Sequence, residues 1–515
     1  MRIGTAEQMR YLDHTTIYEI GVPSTELMER AAAGLKDACM KILARSKSSS
    51  HVCVVFCGSG NNGGDGVAVA RLLLAEGVKV HAFLTGKREK MTDDCCAMEQ
   101  LLQDAGGELE DFDPESATQK HITETADLLV DAIFGIGLNA DVRGKAAQAI
   151  AWMNKSPAPV VAADIASGIE TDTGRVLGCA VRADATVTFT MPKLGHIVGD
   201  GALHAGELVV HSIGIPQTLI EGLDTKATMI DADLVRSWLP ERPADGHKGT
   251  FGKCYLLCGS TGYTGAPILA SKAAVRSGTG LVFMGVPESI YTIATVKSDE
   301  AMPSPLPADE NGRLSEEALV PALEKMADCD AALIGPGLGR GDGVSEVVQQ
   351  VLNTVQYPVV LDADGINAIS GHMDVLYRRR ESPTIVTPHD GEFARMGGDL
   401  SDGDRVSAAQ QFAMTFGCLL VLKGHRTILS LPDGEVFVNP TGNSGMAKGG
   451  SGDVLSGIIV SLLAQGMHPV KAAVCAVWIH GRAGDLCRNK FGERAMTPSD
   501  MIEMLPEVFK ELEHD

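Results

Sequence analysis

Three stretches of the chain carry residues whose types and spacing suit chemistry. The first is Cys57-Gly-Ser-Gly-Asn-Asn-Gly-Gly-Asp-Gly66, which follows an apolar run and opens a helical pattern. Glycines let a backbone approach an anion, and a helix N-terminus offers unpaired N–H groups at the positive end of its dipole. The spacing is not G-x-G-x-x-G with an acid closing the next strand, and no Gly-Lys-Ser/Thr follows. A tight strand-to-helix turn would also use glycines, but it would not need two Asn and an Asp among them. The second stretch pairs Asp131, ahead of Ala-Ile-Phe-Gly-Ile-Gly-Leu138, with Asp164-Ile-Ala-Ser-Gly168. Each closes an apolar run, and the C-terminal strand ends of a parallel sheet meet along one edge. Asn62, Asp131 and Ser167 would there offer oxygens to a hard cation, leaving Asp164 for proton chemistry.

The third stretch is Asn439-Pro-Thr-Gly-Asn-Ser-Gly-Met-Ala-Lys-Gly-Gly-Ser-Gly-Asp-Val454. Its glycines would form a backbone nest for phosphate oxygens. Asp453, in the first turn of the helix that follows, would take a proton from an attacking hydroxyl, although Asp is also an ordinary helix cap. Lys423-Gly-His-Arg-Thr427 ends a strand with a cation and a turn suited to a nucleotide. Thr387-Pro-His-Asp-Gly-Glu392 puts His389 and Glu392 at another strand end. Gly335-Pro-Gly-Leu-Gly339 and Gly259-Ser-Thr-Gly-Tyr-Thr-Gly-Ala266 are turns that approach a ligand or simply reverse the chain. Asp362-Ala-Asp-Gly-Ile-Asn367 suits Mg²⁺ or ordered water.

The elements that must position these residues follow from periodicity. Residues 1–45 read as two helices, with Met9, Leu12, Ile17 and Ile20 on one face and Leu27, Met28, Ala31 and Leu35 on the next, before a polar break at Lys47–Ser50. Buried parallel strands are expected at His51–Cys57, Val78–Thr85, Asp127–Ile133, Pro159–Ile165 and Ala185–Thr190, with an amphipathic helix over Gly66–Glu76. Residues 217–250 lack strands, and the turn-rich Arg242–Gly249 reads as a linker. Further strands follow at Lys253–Cys258, Leu281–Val286, Ala331–Ile334, Val359–Asp362, Thr384–Thr387, Leu419–Lys423 and Thr427–Leu431, and a helix begins near Asp453. The chain is therefore α/β with two tandem domains, 1–220 and 225–513.

Composition sets the limits. The chain has 515 residues, with 44 Lys and Arg against 66 Asp and Glu, a formal charge of −22. So acidic a chain lacks the basic face that nucleic acid or anionic lipid requires. No secretory leader and no apolar run of membrane-spanning length is seen, so a cytoplasmic protein is expected. The 12 Cys read as buried, reduced thiols rather than zinc ligands.

Taken together, Asn61-Asn-Gly-Gly-Asp65, Val130-Asp-Ala-Ile-Phe-Gly-Ile-Gly137 and Asp164-Ile-Ala-Ser-Gly168 resemble the YjeF N-terminal family of NAD(P)H-hydrate epimerases, over residues 1–220. The resemblance implies a Rossmann-like, doubly wound sheet. It implies a site for the hydrated dinucleotide at Asn61, Asn62, Gly63, Gly64 and Asp65, and at Gly135, Ile136, Gly137, Leu138, Asn139, Ala140 and Asp141. It further implies a potassium ion at Asn62, Asp131 and Ser167, with Asp164 as the catalytic contact to the hydrated nicotinamide. The family carries Pro where Ala166 stands. Lys193, in Met191-Pro-Lys-Leu-Gly195, resembles a family lysine near the ligand.

The motifs Gly335–Gly339, Thr387–Glu392, Lys423–Thr427 and Gly449–Asp453 occur in the order of the ribokinase-like superfamily. More narrowly they resemble the YjeF C-terminal family of ADP-dependent NAD(P)H-hydrate dehydratases. The resemblance implies an α/β/α fold in which Lys423, Gly424, His425, Arg426, Thr427 and Gly452 hold ADP. Ala266, Gly337, Gly339, His389 and Asp453 would contact the hydrate, with Asp453 catalytic and Mg²⁺ assisting. Asp390 stands where Pro is common, and Arg426 where Gly is. The fusion implies epimerisation of R- and S-NADHX or NADPHX by the first domain. The second would dehydrate the S form by phosphorylating its hydroxyl and eliminating phosphate, in a homo-oligomer. Two alternatives remain at this point: a small-molecule kinase in the second domain, and a non-catalytic nucleotide-binding first domain.

Overall fold

The computed structural model describes residues 1–45 and 50–513. Lys47, Ser48 and Ser49 of the polar break lie outside the described residues. The chain divides into two compact units, Arg2–Thr225 and Lys226–Asp515, with Met1 counted in the second.

In the first unit the apolar runs become parallel strands. Among the described residues these are β1 (Val52–Cys57), β2 (Lys79–Leu84), β3 (Leu109–Asp111), β4 (Leu128–Ala132), β5 (Val160–Ala163), β6 (Ala185–Phe189) and β7 (Glu207–His211). Their order is β3-β2-β1-β4-β5-β6-β7, every neighbouring pair parallel. The chain runs outward from β1 to β3 and then crosses back to β4, so the order reverses between β1 and β4. A crevice opens at the C-terminal ends of strands at such a reversal. Alternation along β1 supplies two cores, Cys53, Val55 and Cys57 to one face and Val54 and Phe56 to the other. Helices α1 (Ala6–His14), α2 (Ser24–Leu43) and α3 (Asn61–Ala75) contribute apolar residues to the first of these cores.

Three expectations change here. Helix α3 starts at Asn61, not Gly66, so the glycine-rich segment is its first turn; glycines hide a helix from periodicity because they lack side chains to pattern. After α1 the chain makes a π-helical turn over Thr15–Glu19, and Ile20 is exposed instead of sharing the buried face. Strands β3 and β7 are not among those expected from apolar runs. The former has three residues, and the latter, Glu-Leu-Val-Val-His, is only partly buried at the sheet edge.

The second unit holds β8 (Ala227–Met229), β9 (Lys253–Leu257), β10 (Leu281–Pro287), β11 (Met302–Leu306), β12 (Ala331–Ile334), β13 (Val359–Leu361), β14 (Thr384–Val386), β15 (Leu419–Leu422), β16 (Ile428–Ser430) and β17 (Val436–Val438). These lie in the order β8-β17-β16-β15-β14-β13-β12-β9-β10-β11. Strand β16 runs antiparallel to both of its neighbours. The order again reverses between the strand that opens the series, β9, and β12. Strand β8 contradicts the expected absence of strands over 217–250; it pairs in parallel with β17, itself unread. Strand β11 reads Met-Pro-Ser-Pro-Leu and escaped notice because prolines cannot donate to a ladder, which confines them to an edge. The turn-rich 242–249 stretch is no linker between the units. It lies inside the second, where the Arg242 guanidinium stacks 3.7 Å from the Phe251 ring centre and donates to Gly278 O at 3.1 Å.

Helix α4 (Gly265–Arg276), α6 (Ser451–Ala464) and α7 (Pro469–Phe491) pack into the core of this unit, with the short α5 (Asp390–Arg395) capping the end of β14. Helix α6 is buried at 12 of its 14 residues. Its polar Ser461 is satisfied, accepting from Thr279 Oγ1 at 2.6 Å and donating to Ala274 O at 2.9 Å. All 12 cysteines are free; ten are buried, Cys53, Cys57, Cys254 and Cys258 among them, whereas Cys96 is exposed and Cys179 half-buried. Among the described residues no helix is long and apolar enough to cross a membrane, and no three His, Cys, Asp or Glu converge on a metal position.

Close contact of α4 with α6 depends on Gly457, where a Cβ would lie 2.3 Å from Ala270 O and 2.9 Å from the Ala273 Cβ. Gly457→Ala is expected to force the helices apart and cost about 1–3 kcal/mol. Thermal unfolding should show the second unit melting several degrees earlier, with the first unit unmoved.

Candidate active sites

The crevice of the first unit is a cavity of about 690 Å³. Asn61, Asn62 and Asp65 line it from α3, Gly135–Ala140 from the loop after β4, and Asp164 and Lys193 from beyond β5 and β6. Sequence reading therefore collects most of its residues in one place. Five do not line the cavity: Asp131 and Ser167, described below, and Gly63, Gly64 and Asp141. Gly63 and Gly64 face inward, where Cβ atoms would meet Gly58 O at 1.9 Å and the Met28 Sδ at 2.7 Å. Their side-chain absence seats the helix on its neighbours. Asp141 is exposed beside Arg143.

Asp164 is the electrostatic centre. Its backbone adopts φ +62°, a left-handed conformation uncommon outside glycine but better tolerated by Asp than by most residues. Its Oδ1 accepts from Lys193 Nζ at 2.7 Å and from Thr188 Oγ1 at 3.2 Å. His196 locks the pair together: Lys193 N donates to its Nδ1 at 3.0 Å, so the proton on Nε2 donates to Asp164 O at 2.7 Å. Burial pushes the imidazole pKa down to about 4, so it stays neutral. Burial alone would raise the Asp164 pKa, but the Lys193 ammonium outweighs it and the net shift is downward. Asp65 shifts the other way, well above the carboxylate range, through burial and the nearby Asp164, Asp13 and Asp94.

Asp131 and Ser167 lie beneath the cavity, both fully buried. Ser167 Oγ donates to Asp131 Oδ1 at 2.6 Å, and Ser167 N to Oδ2 at 2.7 Å. Burial lifts the Asp131 pKa to about 6, and among the described residues no cation pairs with it. Both polar atoms of the Asn62 amide are buried without a partner, and a Cβ on Gly135 would sit 3.3 Å from its Oδ1. An amide oxygen, a hydroxyl and a carboxylate with no cation beside it among the described residues are donor types that fit a hard monovalent cation.

The second cavity, about 730 Å³, gathers Lys423–Thr427, His389 and the Met446–Asp453 segment at the ends of β13, β14 and β15. Lys423 Nζ donates to Asp362 Oδ1 at 2.9 Å. Burial opposes the Lys423 charge, but Asp362 and Glu392 overcome it and hold its pKa above the usual value. Asp453 is pushed up to about 7 by burial and by Asp362, against the pull of Lys423. His389 has a structural duty as well: its Nδ1 accepts from Gly391 N at 3.0 Å, capping α5, while the ring remains exposed at the cavity. Arg426 has φ +61° and ties to Pro440 O, so it stitches the Lys423–Thr427 turn to the next loop.

The remaining expected residues sit elsewhere. Ala266, Gly337 and Gly339 do not line this cavity. Gly337 lies against Tyr263 and Ala266, and Gly339 N donates to Asp364 Oδ2 at 2.9 Å. Asp362 and Asp364, both in the stretch read as suited to Mg²⁺ or ordered water, have different partners, Lys423 and the Gly339 turn. Sequence reading missed Asp13 and His480, which line the two cavities from within helices. Both sit in helical periodicity without a glycine or strand end to mark them. Burial drops the His480 pKa to about 4, and its Nε2 lies 2.9 Å from Ser451 O.

These two cavities, each at the topological reversal or strand ends of a doubly wound sheet, define a two-domain α/β enzyme. Residues 24–195 match the family model of the YjeF-related protein N-terminus, and residues 254–507 that of NAD(P)H-hydrate dehydratase. Over 520 residues the chain is 41% identical to the bifunctional NAD(P)H-hydrate repair enzyme of Moorella thermoacetica, covering 100% of this chain and 98% of the relative. It is 38% identical over 524 residues to that of Salinibacter ruber, covering 98% and 96%. The ADP/ATP-dependent NAD(P)H-hydrate dehydratase of Bacillus subtilis, co-crystallized with ATP and Mg²⁺, is 34% identical; the match covers 55% of this chain and 98% of that one, with a TM-score of 0.47. The chain belongs to the family of bifunctional NAD(P)H-hydrate repair enzymes.

The Lys193–Asp164 pair yields a stability test, since both side chains are almost wholly buried. Lys193→Met leaves a buried carboxylate without its partner and is expected to cost about 3–5 kcal/mol at neutral pH. In the parent chain the depressed Asp164 pKa gives stability that is present above the unfolded carboxylate pKa and is lost on acidification. Without Lys193, burial raises the Asp164 pKa, so the variant carboxyl takes up a proton on mild acidification and its deficit should shrink as pH falls from 7 towards 4, measured by denaturant unfolding of the first unit.

Proposed function

We propose that the chain repairs hydrated nicotinamide dinucleotides at two separate sites. The substrate is a reduced nicotinamide to which water has added across an enamine double bond. Protonation of the enamine carbon directs the hydroxyl to the carbon next to the ring nitrogen, creating a stereocentre. In the first unit Asn61, Asn62, Asp65 and Gly135–Ala140 hold the dinucleotide, and Asp164, kept ionised by Lys193, transfers protons during exchange of the two epimers. Asn62 Oδ1, Asp131 and Ser167 would hold a potassium ion. When bound, it neutralises the buried Asp131 charge and fixes the loop after β4.

In the second unit the chemistry is a dehydration, and hydroxide is a poor leaving group. Asp453 takes the proton of the S-epimer hydroxyl as that oxygen bonds to the terminal phosphorus of ADP; the bond to the leaving AMP breaks. The resulting phosphate ester then loses phosphate as the ring double bond returns. Lys423 and the Gly449–Gly452 backbone stabilise charge on the moving phosphoryl group. Asp362 Oδ2 accepts no hydrogen bond among the described residues, and it is the carboxylate oxygen that would hold Mg²⁺. Mg²⁺ supplies further neutralisation of phosphate charge when bound. The observation that carries this reading is Asp453, with a pKa near neutrality, set beside Lys423 in a cavity walled by glycines.

The decisive experiment follows reduced-nicotinamide absorbance after mixing the protein with both NADHX epimers, with and without ADP or ATP. Full nucleotide-dependent recovery is expected. Recovery that stops at the S fraction would remove the epimerase, and a stable phosphate ester without recovery would make the second unit a kinase. Asp453→Asn should lower the dehydration rate by roughly 10²–10⁴-fold while nucleotide affinity changes little. Because the base must be ionised, the parent rate should rise with pH and level off above about 7. Replacing potassium by choline should lower the melting temperature of the first unit, an effect that Asn62→Ala or Ser167→Ala should abolish.

A further inference from the structure

An epimerase that inverts a carbon bearing hydroxyl must hand protons in both directions. Asp164 supplies only half of this. Its Oδ1 is committed to Lys193 and Thr188, and the carboxylate is ionised, so it accepts protons and cannot start as a donor. A second group must deliver the first proton.

The cavity wall also includes α1 and the turn after it. Met9, Arg10, Asp13 and Ile17 recur at helical spacing and all line the cavity. Asp13 is the carboxyl of that face, and among the described residues its side chain makes no hydrogen bond or ion pair. The element is well fixed: Thr5 and Gln8 close a capping box at the start of α1, and Arg10 reaches Ile136 O at 3.4 Å. The other charged or titratable groups lining the cavity are Arg10, Asp65, Asp94, Asp164 and Lys193.

We propose that Asp13 is the general acid of epimerisation, working with Asp164 as the base; this rests on the epimerase reading of the first unit. The Asp13 carboxyl proton passes to the substrate hydroxyl. The carbon–oxygen bond breaks, water departs with the bonding pair, and the ring nitrogen lone pair closes a carbon–nitrogen double bond. Water then bonds to the same carbon on the other face. The double-bond pair returns to nitrogen, and the surplus proton goes to Asp164. Proton exchange with solvent resets both carboxyls, and no oxidant or reductant is needed. Two carboxyls kept in different protonation states by their surroundings are what such an acid–base division requires. Burial and the Asp164 charge lift the Asp13 pKa to about 6 against the opposing pull of Lys193, which supports the assignment.

The test uses the full-length chain, pure R-epimer and excess ADP, so that the second unit reports each inverted molecule as recovered absorbance. Dehydration of pure S-epimer is the internal control. Asp13→Asn is expected to slow inversion at least 100-fold over the spontaneous background with the S-epimer rate unchanged. In the parent chain kcat/KM for inversion should fall as pH rises beyond about 6, since the acid must hold its proton. Asp13→Glu should recover part of the rate and keep that falling limb, whereas the residual Asp13→Asn rate should lack it. Inversion by Asp13→Asn within threefold of the parent rate overturns the role, as does a falling limb that survives in that variant. Should Asp13→Asn not fold, Asp13→Glu decides: an unchanged rate and an unchanged limb position overturn the role. A parent chain that never inverts the R-epimer would instead overturn the epimerase reading itself.

Discussion

Every strand of the first sheet, and every strand from β9 to β15 in the second, points the same way. That one constraint organises both units. A parallel sheet must return its chain across a face after each strand, so all connections that follow strands gather at one edge. There the backbone loses its ladder partners, and helices begin with their N–H groups unpaired. Where the strand order reverses, adjacent connections diverge to opposite faces and leave a crevice. Asp164 and Lys423 both follow directly on a strand end at that edge, Asp164 next to the reversal of its sheet and Lys423 three strands beyond the reversal of the other.

Within their cavities the two units use the same electrostatic arrangement. A buried carboxylate is paired to a lysine, Asp164 to Lys193 and Asp362 to Lys423, at 2.7 and 2.9 Å. Another carboxyl nearby, Asp13 in one unit and Asp453 in the other, is shifted upward by burial and by its anionic neighbour. In the first unit the Lys193 ammonium holds the Asp164 carboxylate ionised, and that charge discourages Asp13 from losing its proton. One pair of like groups thus acquires two protonation states inside a single cavity. The two sheets differ in strand order and extent, so the likeness lies in the site physics and not in the topology.

The sequence was most legible where several physical demands coincide on consecutive residues. Strands β1, β4, β5, β12 and β13 had to be continuous apolar runs because both sheet faces are covered, and the carboxylates and glycines that follow them were visible at their ends. Legibility failed where one demand hides another. Gly63 and Gly64 carry a packing demand that the sequence does not separate from a ligand contact, since a Cβ at either would collide with Gly58 or Met28. Met302–Leu306 pairs as an edge strand in spite of two prolines. Asp13 carries no local mark at all, since a helix brings it to the cavity only after α1 has docked. His389 lines the cavity and also caps α5 through Nδ1, a duty its position at a strand end did not signal.

The placement of sulfur has a consequence for how the molecule can be watched. Ten thiols are buried, and where the fold shifts them it shifts them upward, away from the thiolate that reacts with electrophiles. Only Cys96 is exposed and Cys179 partly so. The folded chain therefore offers an alkylating reagent at most two sites, while an opened chain offers up to twelve. Cys53 and Cys57 report on the centre of one sheet, and Cys254 and Cys258 on the strand beside the reversal of the other. Mass added at each position would record which unit opens first, without a fluorophore, a tag or any change to the protein.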